Sequence, residues 1–474
     1  MNYKQLIEDA VQEKSSVILE LSDRTFDLAE VGFREFKTVQ LYIDALKQEG
    51  FDVECGLDGM PTAFKASYGS GKPVIGYLAE YDALPDLSQK ANCAERCPAE
   101  EGGPNGHGCG HNLLGAGCFA AALGLKKYLE QNPGKGTVVL FGCPSEEKGN
   151  SKVYLARDGF FDCLDVAFSW HPGDNSGVAG FSSLANVSVF FRFKGVTSHA
   201  AAAPHLGRSA LDAAELMSVG VNYLREHIIP EARVHYAYRD VGGIAPNVVQ
   251  GSSCVHYFIR APKSSQVQEI LPRVIAVAEG AAKMTGTEMS YELYAGLSDL
   301  IPNHVVSDAA QAALEELGMP EFSREEMEQA RSFFQSCDSG GALEKKTAMV
   351  KARYGADALD FPVDRAIRPI MWNLPAMPGS TDVGDASYVV PLGFLGMATA
   401  VMGTAAHTWQ MTAQGKSPIA HKMMLQAGKV LALAGVRFCE EPQLAERARA
   451  ELEQATGGKY ICPVPKGSAP RIDD

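Results

Sequence analysis

Asn105-Gly106-His107-Gly108-Cys109-Gly110-His111-Asn112, followed by the apolar, Ala-rich run from Leu113 to Tyr128, is the stretch from which the rest of the chain is read. It places two imidazoles and a thiol within five residues, separated only by glycines. Glycine leaves the backbone free to turn tightly and adds no bulk, so Cys109 and His111 can face one point. A thiolate and an imidazole at that separation are good ligands for a transition metal. The plainer alternative is a Gly-rich turn ahead of a helix, and the octapeptide alone leaves both open. His107 reads equally well as a packed loop residue.

Moving outward, the flanking segments repeat one pattern, a short apolar strand that ends in chemistry-bearing residues. Val74–Leu78 runs into Glu80-Tyr81-Asp82-Ala83-Leu84-Pro85, and acidic groups just beyond a strand's C-terminal end are where α/β sites sit. Thr137–Phe141 leads to Ser145-Glu146-Glu147, Val166–Ser169 to Trp170-His171-Pro172, and an expected strand Ala398–Met402 to His407. Cys109, His111, Glu147, His171 and His407 thus collect after strands, as in a parallel α/β sheet. Glu146 and Glu147 divide naturally if the segment is extended, since neighbouring side chains then point opposite ways. One can hold a metal while the other faces the water that the metal activates. Taken alone, the pair reads as a solvated charged turn.

Between residues 187 and 298 the texture changes. Strand 187–193, helix 209–227, strands 233–238 and 254–259, helix 267–284 and strand 288–294 spell β-α-β-β-α-β, a ferredoxin-like unit that can be inserted whole. The expected organisation is therefore a discontinuous catalytic domain, 1–186 and 299–474, interrupted by a 187–298 domain. Residues 3–50 are helical, as are 306–317 and 419–437, while 320–370 shows no clear pattern.

The chain has 474 residues, more than one ordinary core accommodates, which agrees with two domains. Its net charge of -14 argues against nucleic acid or an anionic membrane surface as partner. No run is long enough to span a membrane, and the N-terminus leads into an amphipathic segment without the apolar core of a signal peptide. Eleven cysteines, an odd number, read as free thiols of a reducing cytoplasm.

With these residues in view, the chain resembles the M20 metallopeptidase/amidohydrolase family, in its Cys-containing amidohydrolase branch. The matching segments are Glu80–Pro85, Gly106–Gly115, Cys143–Glu147, Trp170-His171-Pro172, Ser198-His199-Ala200, Pro204–Ser209, Gly243–Gln250, Pro378–Asp385 and Gly403–Gln410. The resemblance implies a zinc-peptidase-like α/β catalytic domain, a mixed sheet flanked by helices, with an inserted ferredoxin-like α+β lid that also makes the dimer. It implies two divalent metal ions held by Cys109, His111, Glu147, His171 and His407, with Glu146 as general base. Cys109 stands where the family's peptidases carry a bridging aspartate, and a thiolate can bridge two cations where an imidazole serves one. Glu147 and His407 then complete one metal, His111 and His171 the other. Asp82 matches an aspartate that orients a ligand histidine. Glu80 departs from the peptidases, which have a histidine ligand there. Thiolate and imidazoles suit zinc, and the carboxylate leaves manganese open.

In the lid, His199, Asn247 and Arg260 match positions that reach substrate, the histidine from the neighbouring subunit. Their ordinary readings are a helix-preceding His and a strand-edge Arg. Gly379, Ser380 and Thr381 match a loop beside the substrate, and His205 and Arg208 fall in a matching segment without an assigned chemistry. The implied reaction is hydrolysis of the amide of an N-acyl or N-aroyl amino acid, with p-aminobenzoyl-glutamate favoured. A dipeptidase or N-acyl amino acid deacylase is the alternative within the class, and a non-catalytic partner subunit the alternative outside it. The implied assembly is a homodimer, or a hetero-oligomer with a related subunit.

Overall fold

The computed structural model describes residues 2–99, 103–337, 341–355 and 362–472. Helices α1 (Tyr3–Glu13), α2 (Ser15–Leu28) and α3 (Phe36–Gln48) open the chain. The single helical stretch expected here is broken at Lys14 and again at Ala29, which ends α2 at a left-handed φ of 42°. Next come β1 (Asp52–Cys55), β2 (Phe64–Ser70), β3 (Val74–Ala79), α4 (His111–Gln131), β4 (Gly136–Gly142), α5 (Ser151–Arg157), β5 (Val166–Gly173) and β6 (Gly177–Val178). The middle of the chain supplies β7 (Ala185–Lys194), α6 (Ala210–Leu224), β8 (Arg233–Asp240), β9 (Ser252–Ala261), α7 (Ser264–Thr285) and β10 (Glu288–Leu297). The last part adds α8 (His304–Leu317), α9 (Arg324–Cys337), α10 (Ala342–Tyr354), α11 (Val383–Val389), β11 (Leu392–Ala398), α12 (Trp409–Gln414), α13 (Pro418–Glu440) and α14 (Gln443–Thr456).

Two sheets form. The larger is mixed, in the order β1-β2-β4-β3-β5-β11-β6. Its centre is parallel, with β3 on β4 and β5, and β5 on β11. Parallel strands are covered on both faces and so read as near-continuous apolar runs. Alternate residues of one strand serve two cores: Val138 and Leu140 face α4 and α13, whereas Val139 and Phe141 face α5 and α11. The Ala- and Gly-rich composition of α4 is explained by its neighbour. A Cβ on Gly428 of α13 would lie 2.6 Å from the Cβ of Ala120, so the two backbones approach through small residues.

The smaller sheet is antiparallel, ordered β10-β7-β9-β8, with α6 and α7 packed on one face around a core of its own. This is the inserted ferredoxin-like arrangement. Among the described residues no helix is long and apolar enough to cross a membrane, and all eleven cysteines are free thiols.

Three expectations need correction. The strand placed at Ala398–Met402 is in fact β11, Leu392–Ala398, and 399–402 is a buried loop. Its two glycines mask the strand pattern. Gly393 is small because a Cβ there would meet Val306 at 2.8 Å and Phe168 at 3.1 Å. The final helix runs on to Glu440, and α14 follows it unforeseen. Part of the unpatterned 320–370 stretch is helical, as α9 and α10; residues 338–340 and 356–361 lie outside the described residues.

Candidate metal centre

Tight backbone features at the C-terminal edge of the larger sheet aim the chemistry-bearing side chains at one place. Gly110 takes a left-handed φ of 80°, and a Cβ on it would sit 2.8 Å from Pro172. That turn starts α4 at His111, so the imidazole leaves the first residue of a buried helix. Ser145 and His407 adopt φ of 57° and 59°, a region non-glycine residues enter at some cost. The buried Glu35 carboxylate accepts the Ser145 N–H at 2.8 Å and so props the first of these turns. Burial, with Asp82 nearby, pushes the Glu35 carboxyl up to about 8. The second is pinned where the His407 N–H donates to the Gly108 carbonyl at 2.8 Å, joining the two halves of the site.

Cys109 Sγ lies 3.4 Å from His171 Nε2, and His407 Nε2 lies 3.2 Å from Glu147 Oε1. Three groups have potential ligand atoms within 4.8 Å of one another: Cys109 with His111 and His171, Cys109 with Glu147 and His407, and Glu80 with His111 and Glu146. The first two share Cys109. Behind them Asp82 holds both halves: one oxygen is 2.9 Å from His111 Nδ1, and the other accepts the Glu147 N–H at 3.0 Å. The ring nitrogen of His171 turned away from Cys109 lies 2.7 Å from the Pro172 carbonyl.

Two observations test whether these residues fit a pair of cations. His111 Nε2 is buried 3.3 Å from Glu80, and Glu147 Oε1 is buried 3.2 Å from His407, yet among the described residues neither atom makes a hydrogen bond. A buried polar atom without a hydrogen bond is expensive unless something else satisfies it. The donor set, one sulfur, three imidazoles and a carboxylate, is also the chemistry that holds zinc or manganese. Without a cation the site is unfavourable for charge: burial pushes the Cys109 thiol up to about 12, and burial and Glu80 push the Glu146 carboxyl well above its usual range. The residues fit.

Glu146 and Glu147 do not separate as neighbours on an extended strand would. Glu146 to Gly149 form a turn, entered from the left-handed Ser145, and the two carboxylates fall in different groups, Glu146 with Glu80 and His111, Glu147 with Cys109 and His407. The lid residues are placed differently from the Cys109 cluster. Arg260 is half-buried, and its guanidinium donates to Ser380 Oγ at 3.2 Å, bridging lid and loop. Gly379 accepts the Leu184 N–H, and Thr381 Oγ1 accepts the Val383 N–H. His199 and Asn247 are exposed on adjacent lid loops, tied by the Ala200 N–H to the Asn247 carbonyl. Among the described residues no hydrogen bond joins either side chain to the cluster. His107 is a packed loop residue: it stacks on Phe26 and one ring nitrogen lies 3.0 Å from the Thr25 carbonyl. Sequence reasoning missed Lys152, which is fully buried 2.7 Å from Glu80 and 2.7 Å from Asp382. No local signal in the sequence marks it, since its partners come from distant segments.

Residues 76–357 match the model of peptidase family M20/M25/M40, and the chain belongs to that family; it is a hydrolase of amide bonds. The fold agrees with a solved relative, the Bacillus subtilis YXEP protein, described as a dinuclear metal binding peptidase from the M20 family. The TM-score is 0.60 at 16% identity, over 90% of this chain and 99% of that one. The chain is 41% identical to the B subunit of p-aminobenzoyl-glutamate hydrolase from Escherichia coli (strain K12), over 471 residues and 98% of each chain. It is 31% identical to the Xaa-Arg dipeptidase of Mus musculus, over 83% of this chain and 78% of that one.

Proposed function

We propose that the chain is a two-metal amidohydrolase that cuts the amide between an aroyl or acyl group and an amino acid, with p-aminobenzoyl-glutamate as its preferred substrate. The observation that carries the chemistry is the pair of ligand groups sharing Cys109; the end-to-end likeness to the Escherichia coli hydrolase carries the substrate. Cys109, His111 and His171 hold one cation, and Cys109, Glu147 and His407 the other. Two bound divalent cations supply Lewis acidity at the scissile carbonyl and activate water there. Glu146 takes the proton of the attacking water and returns it to the leaving amine. Asp82 fixes the ring of His111 and the backbone of Glu147 together. Arg260 receives the substrate's free carboxylate through its planar fork, beside the Gly379-Ser380-Thr381 loop. His199 and Asn247 come from the lid to the carbonyl oxygen, His199 as an oxyanion donor. The chain works as a dimer, with itself or with a related subunit, in the cytoplasm; that its relative is one of the subunits of a hydrolase supports a partner.

The test is turnover by the purified chain, reconstituted separately with Zn²⁺ and Mn²⁺, on p-aminobenzoyl-glutamate, N-acyl amino acids and dipeptides ending in arginine. Preference for the aroyl-glutamate is expected. Preference for the dipeptides would overturn the substrate in favour of a dipeptidase. Metal uptake with no turnover on any of them, but turnover once a related subunit is added, would make this chain the partner and not the sole catalyst.

A further inference from the structure

We propose that Lys152 is a positioning residue that couples the metal centre to the substrate-side loop, acting through Glu80 on one side and Asp382 on the other. The proposal rests on the metal-centre reading above and extends it to a residue outside the ligand set.

Lys152 stands in the first turn of α5, five residues after Glu147, and its side chain is 0% exposed. Lysine is almost never fully buried unless paired, because desolvating its charge is costly. Here the pairing is doubled. The ammonium is 2.7 Å from Glu80 Oε1 and 2.7 Å from Asp382 Oδ1, and the Lys152 backbone N–H donates to Asp382 Oδ2 at 2.9 Å. Both carboxylates are as buried as the lysine.

Each partner leads to a different half of the site. The second oxygen of Glu80 lies 3.3 Å from His111 Nε2, and Glu80 groups with His111 and Glu146. Asp382 closes the Gly379-Ser380-Thr381 loop at the start of α11. That loop is tied in turn to the lid through Arg260 to Ser380, and to the segment leading into β7 through the Leu184 N–H to the Gly379 carbonyl. One ammonium cannot neutralise two carboxylates, so the trio keeps a net negative charge, and burial holds the Asp382 carboxyl up at about 6 despite the lysine. An ion trio kept for stability alone could be replaced by apolar residues, often without loss. Its placement between a ligand histidine and the substrate loop gives it a geometric task. The ammonium holds one oxygen of Glu80 while the other faces His111, and holds Asp382 at the end of the 379–381 loop.

The experiment compares the wild-type chain with Lys152→Met and with the double variant Lys152→Met/Asp382→Asn. The double variant keeps the buried charge at one negative and so protects against simple misfolding. Each is loaded with Co²⁺ and read by its absorption spectrum, by hydrogen exchange of the 376–384 segment in the full chain, and by kcat and KM. Both variants are expected to retain cobalt, with shifted thiolate and ligand-field bands and faster exchange in the loop. Loss of kcat on the order of 10- to 100-fold is expected, as for residues that orient ligands elsewhere, with a smaller change in KM. If the single variant does not fold, the double variant decides. A wild-type spectrum, wild-type exchange and kcat within about twofold of wild type in a folded variant would overturn the proposal. Wild-type protein that takes up no cobalt would sink this proposal and the metal-centre reading together. Uptake without turnover of any N-acyl amino acid would sink only the proposed function, and spectrum and exchange would still decide the role of Lys152.

Discussion

His111 and His199 are the same residue type at opposite extremes of restraint. The first is completely buried, starts a core helix at a glycine turn, and has its ring set by Asp82 at 2.9 Å. The second is exposed on a lid loop, where its Nδ1 accepts only the nearby Ala201 and Ala202 N–H groups, at 3.2 and 3.1 Å. Around His111, Asp82 also holds the Glu147 backbone, the Pro172 carbonyl lies beside the His171 ring, and left-handed turns set Ser145 and His407. Around His199 the backbone is paired with the neighbouring 247–249 loop, but the side chain is held only within its own loop among the described residues. The cluster around Cys109 is thus preassembled within one chain, whereas His199 and Asn247 are exposed on their loops and, among the described residues, no hydrogen bond joins their side chains to that cluster. Preassembly removes the cost of ordering ligands when the cations and substrate arrive.

The contrast can be broken most severely at its buried end. Cys109→Ser should empty both cation positions and bring turnover to background, because a neutral hydroxyl is a poor ligand and a poor bridge. Elemental analysis finding two tightly held metals per chain in that variant would remove Cys109 from the centre.

Glu146→Gln should keep both metals and lose on the order of 10² to 10⁴ in kcat, the usual cost of losing a general base. His199→Ala should be comparably inactive. If the lid half is supplied by the second chain, dimers mixed from the two inactive variants regain activity, since one mixed site pairs an intact Glu146 with an intact His199. No recovery in dimers proven to be mixed by mass would place His199 in its own chain's site.

Asp82→Asn tests the bracing itself. It should weaken metal affinity about 10- to 100-fold, as removal of outer partners commonly does. Affinity unchanged in a competition titration with a chelating dye would mean that His111 is oriented by packing alone.

The smallest effect belongs to the half-buried contact between the two regions. Arg260→Ala should raise KM roughly tenfold for substrates with a free carboxylate, the loss of about 1.4 kcal/mol of binding, and leave their amides nearly unaffected. Equal losses on acids and amides would make Arg260 a fastener of the 379–382 loop through Ser380 and not a carboxylate site.

Much of this is legible in the sequence. The parallel centre of the larger sheet follows from apolar runs such as Val74–Ala79, and the inserted unit from the β-α-β-β-α-β order. Cys109, His111, Glu147, His171 and His407 stand out as rare ligand types near strand ends, and the structure brings them together although His171 lies inside β5 and Cys109 and His111 follow β3 only after a long loop. The strand at Leu392–Ala398 escapes a local reading because Gly393 and Gly396 answer to Phe168, Val306 and the neighbouring β6 strand rather than to local propensity. Glu146 and Glu147 sit in a turn, not an extended strand, and the left-handed Ser145 that leads into it is held by Glu35, 110 residues earlier.

The sequence by itself determined the layers and the β-α-β-β-α-β order of the middle segment, because hydrophobic periodicity is a property of local residues. The tertiary structure alone decided which charges face one another. Lys152 reads as an ordinary surface lysine until the fold closes Glu80 and Asp382 around it, the second from 230 residues further along the chain. The physical reason is that a buried charge has no local pattern. Its stability depends on partners brought from distant segments into a space without water, and only the closed fold specifies those partners.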